Sequence, residues 1–268
     1  MAAVAETLQT MSRRPSRNTG HLYFLEAKYE LLKTLRLPAY AVPTIAFPLV
    51  FYVFFGLAFR GKGGGGVSMA QYLIATYGVF GVMGAALFGF GIGVALERGQ
   101  GWLQVKRATP MPLAAYFAAK LVMSMLFSLV IVVLLLVLGT FGGVHLPPAA
   151  MALLILQLVV GSAPFCAMGL AIGYFAGPNS AVPLVNLLYL PMAFASGLWI
   201  PLQVLPKFLQ TIAPFLPPYH LAQLALTTVG AANGGRALSH VIALAGFTGL
   251  FLILASIGYS RDEGKTYG

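Results

Sequence analysis

The feature that most constrains this chain is a series of apolar runs separated by short polar segments. Each run reaches roughly 20 residues, the length that an α-helix needs to cross a bilayer. Charged residues make up only 8% of the 268 residues, too few to cover the surface of a soluble domain. The sequence therefore predicts an all-α polytopic membrane protein with six transmembrane helices. The predicted spans are Pro38–Phe59, Met69–Leu96, Ala118–Gly139, Met151–Ala176, Ala181–Pro201 and Ser239–Tyr259.

The positions of Lys and Arg predict the orientation. With the N-terminus inside, only Arg60, Lys62, Lys207 and Arg236 fall outside, and all six acids fall on the inner side. Both termini are therefore expected in the cytoplasm of a bacterium whose inner (plasma) membrane holds the chain. The net charge of +10 then indicates contact with anionic membrane lipid, and no nucleic-acid partner is expected.

The N-terminal region divides into residues 1–18, expected to be a flexible cytoplasmic tail, and an amphipathic helix over residues 19–37. Apolar residues recur at helical spacing and acids share the opposite face, which indicates a helix lying in the inner interface. A soluble helix packed on a partner is the alternative. Its candidate functional residues are Tyr23, Glu26, Glu30, Lys33 and Arg36. The six-span domain is expected over residues 38–259 and a cytoplasmic tail over 260–268.

Several kinds of chemistry are missing from the sequence. No carboxylate, lysine or arginine lies in the middle of a predicted span, although ion-coupled transporters usually need a buried ionisable group there. His145, His220 and His240 lie near outer ends without metal spacing, so neither a metal site nor a catalytic site is predicted. The glycine-rich loop after Arg60 lacks the Ser or Thr and the strand of a phosphate-binding loop. A protein of this kind is either passive or driven by another subunit.

The segment between the second and third spans, residues 97–112, favours the second possibility. It reads ERGQGWLQVKRATPMP, and its charges must lie in water or among headgroups. We expect it to present a short helix to a soluble partner. Outside, residues 201–218 are too apolar for a water-exposed loop and too rich in proline for one span, which indicates short re-entrant outer helices.

Two motifs resemble those of ATP-binding cassette (ABC) exporters of the type-2 permease family. The family's loop between its second and third spans reads approximately E-R-E-x-G-T-L-E-x-L-x-x-T-P, and this chain departs from it at Gly99, Trp102, Gln104 and Lys106. The matching positions are Glu97, Arg98, Gly101, Leu103, Thr109 and Pro110. A second family motif follows the fifth span, and its matching residues are Ser196, Gly197, Pro201, Leu205, Pro206 and Leu209.

The resemblance implies half of a transporter, in which the chain pairs with a second copy of itself or with a homologous permease. A cytoplasmic ABC ATPase subunit would bind ATP and Mg, so no cofactor and no enzymatic activity are expected in this chain. Residues 97–112 would be the coupling helix that rests on the ATPase. The implied contact residues are Glu97, Arg98, Gly101, Leu103, Lys106, Arg107, Thr109 and Pro110.

The resemblance also implies a substrate path between the second and fifth spans of the paired subunits. The candidate lining residues are Phe80, Phe88, Asn186, Phe194, Ser196 and Trp199, although Asn186 is more often a helix–helix hydrogen-bonding residue. Glycines of the second span, such as Gly89 and Gly93, suit either internal packing or a dimer contact. An apolar interior favours a drug, antibiotic or peptide as cargo. A polysaccharide or lipid-linked glycan is the alternative cargo, and an uncoupled channel or membrane scaffold is the alternative function.

Overall fold

The computed structural model describes residues 19–57, 66–109, 111–231 and 236–263. In these ranges the chain is helical and contains no β-strand. The predicted tail 1–18, residues 264–268 of the predicted C-terminal tail and most of the glycine-rich loop lie outside the described residues. The helices, with our labels, are α1 (Thr19–Leu35), α2 (Pro38–Gly56), α3 (Met69–Gly99), α4 (Trp102–Ala108), α5 (Leu113–Phe141), α6 (Pro148–Val160), α7 (Ala163–Phe175), α8 (Pro178–Ala195), α9 (Lys207–Ile212), α10 (Pro217–Thr228) and α11 (Ala237–Glu263).

Within the described ranges, five helical segments are long and apolar enough to cross a membrane. They are α2, α3, α5, the pair α6 and α7, and α11. The chain is therefore an all-helical, multi-pass membrane protein. The fifth predicted span forms α8, which has 18 residues but is not among the five, because proline and asparagine lower its mean hydropathy.

Several helix ends differ from the prediction. The fifth predicted span extended to Pro201, but α8 ends at Ala195 because the chain turns at Gly197, whose φ is +75°. The third predicted span began at Ala118, but α5 begins at Leu113. The fourth predicted span is two helices that meet at Gly161 and Ser162. Finally, α11 continues to Glu263, so the predicted tail begins inside a helix.

The second span, α3, is the central element. In the most apolar 18-residue stretch of α3, 72% is buried within the chain, compared with 22% for the corresponding stretch of α2 and 17% for that of α11. Its glycines are covered by neighbouring helices of the same chain. A Cβ on Gly81 would meet Ile131 of α5 at 2.6 Å, and a Cβ on Gly84 would meet Tyr189 of α8 at 2.8 Å. The structure therefore gives these glycines an intramolecular packing role.

The segment after α8 contains short helices over Leu202–Val204, Lys207–Ile212 and Ala213–Phe215. Val204, Phe208 and Phe215 of this segment are exposed. By contrast, α10 is buried along one face and packs against α3, α6 and α11. This arrangement places the ends of α10 and α11 side by side at the end of the molecule opposite α4.

Candidate functional site

The segment between α3 and α5 bends sharply instead of forming one helix. Glu97 and Arg98 occupy the last turn of α3. The chain then turns at Gly101, whose φ of +77° favours glycine because a Cβ is strained there. The separate helix α4 follows, over Trp102–Ala108. The prediction of a single helix over residues 97–112 is therefore corrected to a helix end, a glycine turn and a two-turn helix.

Glu97 takes part in an ion-pair network that joins three helices. Its carboxylate pairs with Lys33 of α1 and, at 3.0 Å, with Lys120 of α5. Glu30 of α1 pairs with the same two amines, at 2.7 Å to Lys33 and 2.8 Å to Lys120. The Tyr116 hydroxyl of α5 donates a hydrogen bond to Glu97. We call Glu30, Lys33, Glu97 and Lys120 the four-charge network.

Burial differs among the four charges. The side chains of Lys120, Glu30 and Glu97 are 3%, 9% and 15% exposed, whereas that of Lys33 is 46% exposed. Lys120 lies about two turns inside α5, where an unpaired cation would be costly. Two carboxylates offset its charge, and the network as a whole is neutral.

The network shifts the pKa values of its two members on α1. Burial raises the pKa of Glu30, but the charges of Lys120 and Lys33 outweigh that effect and hold this pKa below its ordinary 4.5. Burial lowers the pKa of Lys33, but Glu97 and Glu30 outweigh it and the net pKa lies above 10.5. Both side chains are therefore charged at neutral pH.

Arg98 points away from Glu97, toward the other side of the molecule. Its guanidinium donates to the carbonyl oxygens of Tyr174 and, at 2.7 Å, Ala176, at the C-terminal end of α7. It also lies 3.6 Å from the carboxylate of Asp262 in α11. Arg98 thus satisfies carbonyl groups that α7 leaves unpaired and connects α3 to α7 and α11.

One face of α4 is fixed to the protein and the other is exposed. Leu103 is buried, and Lys106 pairs with Glu26 of α1 while its amine lies 4.5 Å from the centre of the Tyr116 ring. Trp102 and Val105 are 54% and 56% exposed. The short helix therefore presents an apolar surface outward.

The candidate residues of α1, the end of α3 and the segment that contains α4 thus fall into three groups. Glu26, Glu30, Lys33, Glu97, Arg98, Leu103 and Lys106 contact other parts of the chain. Arg36 and Thr109 are exposed, Tyr23 is half-buried and Gly101 forms the turn. The side chain of Arg107 and the whole of Pro110 lie outside the described residues.

Sequence reasoning missed three participants in this region: Tyr116, Lys120 and Asp262. Lys120 carried a signal, because it is a cation inside an apolar helix. Its partners lie 90 and 23 positions away, a separation from which pairing cannot be read.

The predicted lining residues form a partly buried aromatic group. Phe80 is fully buried and stacks on Tyr189 of α8, with ring centres 4.7 Å apart. Phe88 contacts the same tyrosine, and Trp199 contacts both Phe80 and Phe194. The structure thus brings these four predicted aromatic residues into one group between α3 and α8.

The two polar residues of that predicted set behave differently. The Asn186 side chain donates to the Val182 carbonyl one turn earlier in α8, so the helix–helix hydrogen bond favoured from the sequence is not the one observed. Ser196 is buried next to the Gly197 turn. In addition, no group of three or more His, Cys, Asp or Glu residues in the described ranges could hold a metal ion.

The family model described as ABC-2 type transporter matches residues 21–229, which include the four-charge network, α4 and the aromatic group. The chain belongs to the ABC-2 type transporter family. This family supplies the transmembrane permease of an ABC transporter and implies a partner ABC ATPase.

A curated relative agrees with this family assignment. The protein of Bacillus subtilis (strain 168) named "Putative transport permease YvfS" is 28% identical over 235 residues, which cover 87% of this chain and 95% of that protein. An ABC-2 type permease is a transport component. The family match ends soon after α10, so α11, with Asp262, lies beyond it.

Proposed function

We propose that this chain is the permease subunit of an ATP-driven exporter and that its partner ATPase binds the exposed face of α4. One observation carries the proposal: α4 is fixed to α1 through the Lys106–Glu26 pair, yet exposes Trp102 and Val105 to the outside of the protein. A rigid helix with an exposed apolar face can receive a push from a soluble partner and pass it into the membrane domain. ATP and Mg would be bound by that partner.

Within this proposal, the motif residues divide into two roles. Glu97 and Arg98 are bonded inside the chain, so we assign them to holding α3 against α1, α5, α7 and α11. Trp102 and Val105, with the exposed Gln104 and Thr109, would make the ATPase contact. Motion of α4 would reach α1 and α5 through Lys106 and the four-charge network.

The proposed topology has six spans, with α8 as the fifth, and both termini in the cytoplasm of a bacterial cell. The inner side would then hold the four-charge network and α4, and the outer side would hold α9 and α10. Two copies, or this chain and a homologous permease, would pair to enclose the path. The aromatic group between α3 and α8 supports a hydrophobic or amphipathic cargo, such as a drug, antibiotic or peptide.

The test measures binding of the ABC ATPase to the full-length permease in lipid nanodiscs. Trp102→Ala should weaken binding about 30-fold, because loss of an interfacial tryptophan typically costs at least about 2 kcal/mol. Phe215→Ala is the matched control, since it removes another exposed aromatic side chain from the opposite end of the molecule. Phe215→Ala should bind the ATPase as the wild type does.

Equal binding by the wild type and Trp102→Ala would reject α4 as the contact. Ion conductance by the permease without any ATPase would instead favour the channel alternative. Amphipathic compounds should stimulate ATP hydrolysis by the assembled complex, and a lipid-linked glycan should not.

A further inference from the structure

Two histidines from different helices meet at the end of the molecule opposite the four-charge network. His220 lies in the first turns of α10 and His240 in the first turns of α11. Their Nδ1 atoms are 2.9 Å apart, which is hydrogen-bond distance. The Nε2 atom of His220 lies 2.8 Å from the carbonyl oxygen of Pro214. The sequence places these histidines 20 residues apart and gives no sign that they touch.

The contacts determine where the protons lie. A carbonyl oxygen only accepts hydrogen bonds, so Nε2 of His220 must carry a hydrogen and donate it to Pro214. Neutral His220 then has a lone pair on Nδ1, and His240 must donate from its own Nδ1. A charge added at Nε2 of His240 preserves this bond. The bond is lost when both rings are charged, because each Nδ1 then carries a hydrogen and the two N–H groups face each other.

No carboxylate is available to stabilise an imidazolium at this place. The sequence contains no acid between Glu97 and Asp262, and both of these lie at the inner end. The ring of Tyr219 contacts both histidines, and Phe247 of α11 contacts His220. Among the other elements packed on α10, α6 has no charged residue, and α3 has tyrosines, which are neutral near pH 7. Before α11, Arg236 adds positive charge.

The two ends of α10 are held by different kinds of bonds. Near its C-terminal end, Gln71 of α3 donates to the Val229 carbonyl at 2.6 Å, and Thr228 donates to Gln157 of α6 at 2.7 Å. These amide and hydroxyl groups do not titrate near neutral pH. At its N-terminal end, the hydrogen bond to α11 runs through the two histidines, so acid would release one end of α10 and leave the other fixed.

We propose that His220 and His240 form a pH-sensitive latch that holds the N-terminal turn of α10, with the preceding turn Ala213–Phe215, against α11. Acid in the compartment that this end faces opens the latch. Under the proposed topology this compartment is the outside of the cell. The latch itself depends neither on the ATPase nor on the cargo.

The direction of the pH effect follows from His220. Burial lowers the pKa of His220 below its ordinary 6.5, and the hydrogen bond to Pro214 offsets this only in part. Above pH 6.5 the side chain is neutral whether the latch is closed or open, and the closed form is fully favoured. As the pH falls below 6.5, the open form takes up the proton first, and the closed form loses stability.

Hydrogen–deuterium exchange of the full-length protein in nanodiscs tests the latch. Amide exchange over residues 213–228, corrected for the intrinsic effect of pH, should rise at least about threefold between pH 7.5 and 5.5. His220→Gln replaces the titrating ring with an amide, which can still accept and donate hydrogen bonds but does not titrate, so exchange should change little between pH 7.5 and 5.5. His145→Gln removes an exposed histidine outside the pair and should behave as the wild type does.

His240→Asn is the second informative variant. Its amide can donate to neutral His220 and, after rotating, accept from charged His220, so the rise in exchange at low pH should be lost. An unchanged corrected rate in the wild type, or a full rise in His220→Gln, would overturn the latch.

Nitrogen NMR of the ¹⁵N-histidine-labelled wild type tests the pair without any substitution, so the result does not depend on whether a variant folds. The chain has four histidines, so their signals can be assigned. At pH 7.5, His220 should carry its hydrogen on Nε2 and His240 on Nδ1. A hydrogen on Nδ1 of His220 at this pH would contradict the proposed pair.

Discussion

Lys120 and Lys33 contact the same two carboxylates, yet their surroundings make them energetically different. Lys120 reaches Glu30 and Glu97 from inside α5 with only 3% of its side chain exposed. Lys33 reaches them from α1 with 46% exposed. An exposed ion pair contributes little because water already stabilises its charges. Removing a buried partner leaves the opposite charge uncompensated, which is far more costly.

Lys120→Met should therefore destabilise the protein much more than Lys33→Met does. We expect a loss of about 3 kcal/mol for Lys120→Met, since it leaves two buried carboxylates with one amine. For Lys33→Met we expect at most about 1 kcal/mol. Thermal unfolding of the full-length protein in one detergent measures the difference, which should approach about 6 °C in Tm.

A double variant separates charge balance from packing. Adding Glu30→Gln to Lys120→Met restores neutrality, with Lys33 and Glu97 remaining as a pair, and should recover part of the lost stability. If Lys120→Met and Lys33→Met unfold at the same temperature, burial does not determine how much each lysine contributes to stability.

Residue types in the sequence identified part of this network. Glu30, Lys33 and Glu97 were predicted as functional residues because they sit in charged segments beside apolar runs. Their mutual contact was not predicted, since helical spacing describes one helix and gives no information about which helices pack together. For the same reason the sequence analysis assigned both Glu97 and Arg98 to the contact with a partner protein. In the structure the two residues bond to different helices of the same chain.

At the scale of elements, close contact between α3 and α7 depends on glycine. A Cβ on Gly169 would lie 2.9 Å from the Cβ of Phe90 and 3.1 Å from the backbone nitrogen of Gly91. Backbone atoms cannot move aside as a flexible side chain can. Gly169 and Gly91 thus allow two backbones to approach where a larger residue would separate them.

Gly169→Ala should destabilise the protein by about 1–3 kcal/mol, the usual cost of overpacking. Gly246→Ala in α11 is the matched control, because nothing lies within 4 Å of its added Cβ. That change should be neutral or stabilise α11 by up to about 1 kcal/mol through helix propensity. Denaturation of both variants in the same detergent gives the comparison, and a neutral Gly169→Ala would mean that α3 and α7 are less tightly packed than described.

Apolar runs predicted where the long helices lie, because burying a backbone in lipid requires a helix. They predicted helix ends less well. Residues 97–112 were read as one helix, but the left-handed conformation of Gly101 starts a new one. The third predicted span began at Ala118, whereas α5 begins at Leu113. Lys120 is compatible with this helix because its charge is paired with Glu30 of α1 and Glu97 of α3.

At the scale of the whole molecule, the least covered of the five long apolar segments are α2 and α11. Only 22% and 17% of their apolar windows are buried within the chain, so their remaining surfaces face lipid or another subunit. In contrast, α3 is surrounded by helices of its own chain. A second copy would therefore contact the periphery of this helix bundle. The number of membrane crossings, five or six, depends on whether α8 spans the membrane.

Cysteine labelling from either side of the membrane tests the proposed six-span topology. Cys166 is buried, and Cys166→Ser provides a background without native thiols. Ser180, in the first turn of α8, and Gln203, beyond its C-terminal end, are exposed. Ser180→Cys should therefore react with an impermeant maleimide only from the cytoplasmic side and Gln203→Cys only from outside.

Two positions calibrate this labelling and complete the prediction. Trp102→Cys in α4 marks the proposed inner side, and His145→Cys, in the exposed segment after α5, marks the outer side. Because α8 has 18 residues at 1.5 Å each, it can span only about 27 Å, close to the thickness of the hydrocarbon core. Prolines in such a helix are tolerated where neighbouring helices satisfy the freed carbonyls. Labelling of Ser180→Cys and Gln203→Cys from the same side would show that α8 does not cross the membrane and would overturn the six-span topology.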